Sequence, residues 1–452
     1  MAGEEAKLSA LQRLIRFGSE EDLGRFFLLL RPQELADLVE ALPDEEDRLR
    51  AIRAMETPLA SEVLREVEPP EREEILEDLP AEEIAEIVRE SRTDDAADLL
   101  GELETQKAEE TLEHLDRPEQ EELRELLEYP DDSAGGIMQT ELVKLRASST
   151  VSQAVDEIRS MADELGEVHE IFVVDDRDRL VGRVGATALL LARPDASIES
   201  IMEREPVAVP VTIDQEELAE IVKEYDLTDV PVIDAEGRLV GQVMVDDVLD
   251  VIEEEATEDI AHLAGVNPDE LYGRSVLLSI RSRAPWLIPA FGGGILAAMI
   301  IGSMEGRLKS AELLIVFIPV VLGMAGNASM QTATLTVRGL ALGRSNLRAP
   351  WRAVSMEALT GLSLGVLFGG LLYLYTLGAY PDDPRVALYA VTAGLSILTA
   401  MTVGATMGMV VPLTLNRFKI DPAIATSPFV TTANDVLGAG LLFLVAHWVG
   451  LL

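Results

Sequence analysis

From Pro285 onward the chain carries five apolar stretches, at approximately 285–304, 311–341, 354–377, 385–414 and 428–450. Each is long enough for a bilayer, whose hydrocarbon core takes about 20 residues of helix. Lipid offers backbone groups no water, so a chain that crosses it must be helical or close into a barrel. A polytopic α-helical membrane domain with five spans is therefore expected over 281–452. The residues before it differ in kind: 1–280 hold 26 Lys+Arg against 74 Asp+Glu, a net of −48, whereas 281–452 hold 11 against 7, a net of +4. Such an acidic surface repels nucleic acid and anionic lipid and concentrates cations. No nucleic-acid partner is expected, and a cation is the expected ligand.

The basic residues set the orientation. Arg281, Arg283, Arg338, Arg344, Arg348, Arg352, Arg417 and Lys419 flank one side of the spans, and Arg307, Lys309 and Arg385 the other. Eight against three places the amino terminus in the cytosol, and five spans place the carboxyl terminus outside a cell (inner) membrane. The opening MAGEEAKLSALQRL lacks a basic stretch followed by an apolar one, so no secretory signal is expected. The absence of cysteine removes disulfides, iron–sulfur clusters and thiolate zinc sites.

Two features inside the apolar half bear chemistry. Asp435, in TTANDVLG, is the one acidic residue well inside an expected span; Glu305, Glu312, Asp382, Asp383 and Asp421 fall in loops or at ends, and Glu357 near an inner end. A carboxylate in hydrocarbon is expensive unless it faces a water-filled path or a cation, or is held by a neighbouring helix. In the second stretch, Gly323, Gly326, Asn327, Ser329, Gln331, Thr332 and Thr334 form a Gly and amide cluster. It suits a broken helix whose freed carbonyls line a cavity, and equally a small-residue packing surface.

The acidic half has three parts. Over 8–128, short amphipathic runs such as PQELADLVEAL and AEEIAEIV alternate with Pro or capping residues. Helices so short cannot bury an apolar face alone and are expected to stack as a right-angled solenoid. Further on, IFVVDDRDRLVGRV (171–184) aligns with VPVIDAEGRLVGQV (230–243), seven of 14 positions matching. Each copy reads as strand, Asp-centred turn, strand and helix, preceded by a Met-led segment (Met138, Met202) and an amphipathic helix (151–161, 215–225). The pattern resembles a tandem pair of CBS domains. It contains no nucleophile–base arrangement, so no enzyme is expected, and His169 is expected at the surface. Finally, DDVLDVIEEEATED (246–259) holds eight carboxylates and no base. Asp247, Asp250, Glu254 and Glu258 recur at spacings of three and four, one stripe of a helix. Without counterions that stripe repels itself, and hard divalent cations would relieve it.

Together with this order of parts, AGGIMQTE (134–141), DDVLDVIEEEATEDI (246–260), the Gly-Asn segment 323–331 and TTANDVLG (431–438) closely resemble the MgtE family of magnesium channels and transporters. The resemblance covers nearly the whole chain. It implies a homodimer with an all-α superhelical N-domain (1–130), an α/β CBS-domain pair (131–198 and 199–258), an acidic plug region (246–275) and the membrane domain (281–452). It further implies Mg²⁺ as transported and regulatory ion, while ATP or another adenine nucleotide on the CBS pair stays open. Residue by residue, Asp435 matches the pore carboxylate with Asn327 beside it, and Asp421 matches a position at the inner mouth. Regulatory positions match at Glu62, Asp94, Asp98, Asp214, Glu216, Asp226, Asp247, Asp250, Glu255, Glu258 and Asp259. Two departures touch the pore: the stretch GNASMQT carries Ser329 and Met330, and Ser427 stands where relatives carry Gly. The leading expectation is a channel gated by cytosolic Mg²⁺. An ion-coupled divalent-cation carrier with nucleotide on the CBS pair is the alternative, and a membrane-anchored signalling protein the third.

Overall fold

The computed structural model describes residues 2–161, 168–267, 270, 276–304, 306, 311–341 and 350–452. Glu305, Arg307, Lys309, Arg344 and Arg348 lie outside the described residues. Two compact units divide the chain, Met1–Glu255 and Ala256–Leu452.

The first unit opens with ten short helices: α1 (Ala2–Phe17), α2 (Glu20–Phe27), α3 (Pro32–Glu40), α4 (Glu45–Arg53), α5 (Thr57–Glu66), α6 (Pro69–Asp78), α7 (Ala81–Glu90), α8 (Thr93–Gly101), α9 (Thr105–Glu113) and α10 (Arg117–Leu126). Proline stands in the first turn of α3, α5, α6 and α10, where its missing N–H costs nothing. Helices of eight to ten residues are unstable alone, and packing rescues them: α3, α5, α7 and α9 stack in sequence, as do α4 with α6 and α8 with α10. The buried face of α7, for example, is Ile84, Ala85, Ile87 and Val88. The stacking of short helices is as expected. Its period, invisible in the local helix signals, shows in side chains 30 residues apart: Arg53 with Glu83 (2.7 Å), Ser61 with Ser91 (2.8 Å), and Arg72 with Glu102.

The repeat folds as two related modules. The first comprises β1 (Lys144–Arg146), α11 (Val151–Ser160), β2 (Glu170–Val174), β3 (Leu180–Gly185), α12 (Ala186–Leu191) and β4 (Glu203–Arg204), with sheet order β1-β2-β3-β4. The second comprises β5 (Val209–Pro210), α13 (Gln215–Tyr225), β6 (Asp229–Ile233), β7 (Leu239–Met244) and α14 (Val245–Ala264), with order β5-β6-β7. Both hairpins carry a register shift at the matching position, Val173/Val174 and Val232/Ile233. Asp175 and Asp234 anchor the two turns by accepting from the N–H of Arg179 and Arg238. The turns also pair with each other, through Leu180 N–H to the Gly237 carbonyl and Leu239 N–H to the Asp178 carbonyl.

The Met-led segments correct the linear reading. Met202, which precedes the second copy, packs on Gly182 of the first, and Met138, which precedes the first, packs on Gly241 of the second. Strand β4 likewise joins the first sheet. Each copy is thus completed by a segment that its own sequence does not contain.

Five helices of membrane-spanning length and composition form the second unit: α15 (Val276–Ser303), α16 (Leu313–Ala341), α17 (Pro350–Ala379), α18 (Val386–Arg417) and α19 (Pro422–Trp448). Helix α18 packs against α16, α17 and α19. Its approach to α17 runs over small residues, with Gly361 against Ala405 and Gly369 against the Gly394 carbonyl. The broken-helix reading of the Gly and amide cluster is overturned, because α16 is one continuous helix of 29 residues. Close packing explains Gly326, Ser329 and Thr332, which face α18 and α19, whereas Gly323, Asn327, Gln331 and Thr334 are exposed. Gly404 of α18 lies on the Ala325 carbonyl, and Gly408 on the Ser329 carbonyl, so a side chain at either glycine would push the helices apart.

Candidate functional site

Asp435 lies half-buried on α19. Among the described residues, no hydrogen bond or ion pair reaches its carboxylate. Its neighbour Asn434, buried, donates from Nδ2 to the Leu322 carbonyl of α16 at 3.2 Å and sits against Gly326. Asn434 was missed at the sequence level; its place inside an apolar run was the available signal, masked by the stronger signal of Asp435. It is this asparagine that ties α19 to the Gly-Asn segment, while Asn327 is exposed on α16.

Most hydroxyls in the membrane unit satisfy themselves on their own helix: Thr336 bonds the Thr332 carbonyl, Thr376 that of Leu372, and Thr431 that of Ser427. Four buried hydroxyls, of Ser329, Thr392, Ser396 and Thr426, have no partner among the described residues. A second carboxylate belongs to this unit. Glu357, expected near an inner end, lies within the membrane-length segment Trp351–Ala379 and accepts from Thr332 Oγ1 at 3.1 Å.

The expected regulatory carboxylates separate into groups. Asp94 on α8 meets Asp247 at the start of α14, and Asp98 lies beside Asp94 on the same helix. Arg92 joins them, donating to Asp94 at 3.1 Å and to Asp247 at 2.9 Å. Burial first, and then the charge of Asp95, pushes the Asp94 carboxyl well above its ordinary range. Burial and Asp94 together raise Asp98 to about 7 and Asp247 to about 6. Asp250 lies near Glu66 and Arg65, and Glu254 near Arg72; burial is the first cause of the upward shift of both. The stripe on α14 is therefore not left without counterions, as its sequence suggested. The helical array supplies arginines that no linear pattern connects to it.

A second group lies at the foot of α13. Asp214 caps that helix by accepting from Glu216 N–H at 2.9 Å, and Gln215 donates to Glu255 of α14 at 2.7 Å. Asp226 stands at the opposite end of α13 in a left-handed conformation, about 16 Å along an 11-residue helix, so it is not brought to this group. Glu62 is exposed on α5.

The third group lies within the second unit. Nδ1 of His262 is 3.5 Å from Glu258 and 3.9 Å from Asp421. Asp259 is raised by burial first and then by Asp421, with Arg338 opposing. Asp421 also caps α19, accepting from Ala423 N–H at 2.8 Å. His262 escaped the sequence reading, one imidazole in an acidic run giving no signal. Among the described residues, no three His, Asp or Glu side chains come together as a group that could hold a metal ion, so binding at any of these places needs side chains to move or a further partner.

The two modules, with Arg92, also line a partly open cavity of about 480 Å³, bordered by Glu141, His169, Glu170, Asp229 and Asp246 among others. His169 is exposed, as expected, and at the cavity rim its Nδ1 lies 3.9 Å from buried Asp229.

An acidic helical array, a paired α/β module and five membrane-length helices, in that order along the chain, define a polytopic membrane protein with a CBS-type attachment. Family models match along the chain: divalent cation transporter (MgtE) at 318–445, MgtE intracellular N domain at 30–132, and CBS domain at 134–195 and 198–254. The magnesium transporter MgtE of Enterococcus faecalis is 34% identical over 316 residues, 70% of this chain and 69% of that one. That of Thermus thermophilus is 36% identical over 319 residues, 70% of each. Among solved structures, the soluble part of a magnesium transporter matches at 30% identity and a TM-score of 0.52, over 56% of this chain and 99% of that one. The cytosolic domain of the Mg²⁺ channel MgtE in complex with ATP matches at 34% and 0.52, over 54% and 99%. The chain belongs to the MgtE family.

Proposed function

We propose that the protein is a Mg²⁺ channel of a cell membrane, open when cytosolic Mg²⁺ is low and closed when it is high. The observation that carries the reading is Asp435, a carboxylate inside a membrane-length helix with no protein partner among the described residues. Mg²⁺ dehydrates reluctantly, so one carboxylate per subunit holds the ion through its waters rather than stripping them. In a homodimer the two Asp435 side chains would face one ion across the two-fold axis. The amino terminus is cytosolic on the charge bias of the connections, and the carboxyl terminus external.

Regulation fits the first carboxylate group. Oδ2 of Asp247 is buried without a hydrogen-bond partner among the described residues, beside Asp94, which is 5% exposed. Oxygen donors in surplus over their counter-charge suit a hard cation. Asp94, Asp98 and Asp247 would hold a regulatory Mg²⁺ there, and Glu258, Asp259 and Asp421 another at the inner mouth. Such an ion supplies charge neutralisation, which favours the closed arrangement of α14. ATP is a proposed ligand of the CBS pair, supported by the nucleotide in the similar cytosolic domain.

One observation favours the carrier reading. Glu357 is a second carboxylate within a membrane-length helix, as ion coupling needs. Mg²⁺ uptake into vesicles carrying the purified protein tests the leading proposal. Asp435→Ala should abolish uptake while the protein stays folded, and Asp435→Asn should keep the shape and lose most of the uptake. Near-parental transport by either would return Asp435 to a structural role.

A further inference from the structure

Four carboxylates surround one guanidinium where α8 meets the start of α14. Arg92, the residue before α8, reaches Asp94 Oδ2 at 3.1 Å and Asp95 Oδ2 at 3.6 Å on its own side. Across the junction it reaches Asp247 Oδ1 at 2.9 Å and Asp246 Oδ2 at 3.9 Å. Two neighbouring arginines are committed within the helical array: Arg72 to Glu102 and the Arg65 carbonyl, and Arg65 to Glu66. Arg92 is the one whose described bonds cross to α14. Its side chain is 28% exposed and those of Asp94 and Asp247 7% and 19%, so these charges are largely removed from screening.

A planar guanidinium satisfies carboxylates on two sides at once, which a lysine ammonium does with less geometric control. It also does the electrostatic work assigned above to a divalent cation, with half the charge and no dependence on concentration. We propose that Arg92 is a resident cation at this junction. It offsets part of the carboxylate repulsion there at every Mg²⁺ concentration, too little to close the junction alone, and so lowers the concentration at which the ion completes the closure. The inference rests on the Mg²⁺-regulated reading and deepens it: part of the closed contact in this chain is wired in by sequence. The supply is incomplete, because Asp247 Oδ2 keeps no hydrogen-bond partner among the described residues. That oxygen leaves the ion a role.

Limited proteolysis of the full-length protein in detergent, followed at the connection between α10 and β1, reads the junction without measuring transport. In chelator, Arg92→Gln should be cut about tenfold faster than the parent, because a largely buried charge cluster has lost its fixed partner. The excess should vanish at saturating Mg²⁺, where the ion replaces the lost charge, and Arg92→Lys should fall between. Arg92→Gln combined with Asp247→Asn should be cut no faster than Arg92→Gln alone, since the two groups act through each other. Cutting of Arg92→Gln at the parent's rate in chelator would overturn the proposal. So would an excess that saturating Mg²⁺ leaves unchanged, which marks a packing defect. The two readings fail separately: unimpaired uptake by Asp435→Asn removes the pore role and leaves this result standing.

Discussion

The start of α14 and the middle of α19 each carry carboxylates away from open water, and they are treated in opposite ways. On α14, Asp247 meets Arg92 at 2.9 Å, and Asp250 and Glu254 lie near Arg65 and Arg72. On α19, Asp435 meets no described ion-pair partner, while the polar groups around it are used in packing: Asn434 bonds a backbone carbonyl, and Thr431 bonds its own helix. The lesson is one of permanence. A carboxylate with a protein counterion is stabilised in one place, and one without a partner is kept available for an ion that comes and goes. Regulation and permeation would then use the same residue type with opposite surroundings.

The comparison breaks most directly at Asp435, where Asp435→Ala and Asp435→Asn should both cut Mg²⁺ uptake to near background, since neither supplies a charge. Neutralising Asp247, Asp250 and Glu258 together comes next. On the proposed reading it removes both the mutual repulsion of these carboxylates and the groups that would bind the closing ions, Asp247 and Asp250 at the junction and Glu258 at the inner mouth. An exposed ion pair contributes about 0–1 kcal/mol, and several carboxylates converging on one divalent charge contribute more, so loss of bridging should win. The triple variant should keep conducting at high cytosolic Mg²⁺ and lose Mg²⁺ protection from protease. Closure and protection at the parent's Mg²⁺ concentration would reduce the stripe to a solvated acidic face.

A smaller effect sharpens the α14 side. Asp98 and Asp247 sit at about 7 and about 6 in the folded protein, with Asp94 shifted the same way, against an ordinary value near 4. Groups raised in this manner bind more protons folded than unfolded. Their contribution is therefore present at low pH and lost as pH rises from about 4 to about 7. Denaturation midpoints in chelator should fall between about pH 5 and pH 7 and then level, and saturating Mg²⁺ should flatten the fall. A midpoint that rises across that window contradicts the arrangement.

Smallest is Gly241→Ala, a control in which charge plays no part. Its Cβ would lie 2.6 Å from the Met138 sulfur and 2.9 Å from the Gln139 carbonyl, so overpacking should cost about 1–3 kcal/mol by thermal unfolding without altering the response to Mg²⁺.

The architecture was largely legible because hydropathy and helix punctuation are local. Five apolar stretches became five helices, and the hairpins of the repeat matched down to their paired register shifts. What depended on contacts distant in sequence was not legible. Arg92 and Asp247 are 155 residues apart, and Met202 completes the module before its own. The Gly and amide cluster misled for a related reason. Glycine weakens a helix in isolation, yet opposite Gly404 and Gly408 the small residues of α16 allow backbones to meet, so the helix continues unbroken.

Patch recording of the reconstituted protein, with Mg²⁺ stepped on the cytosolic face, separates a gated channel from a carrier. Ohmic single-channel events are expected, with an open probability that falls as cytosolic Mg²⁺ rises. Mg²⁺ uptake without unitary events, or events indifferent to cytosolic Mg²⁺, would contradict a gated channel.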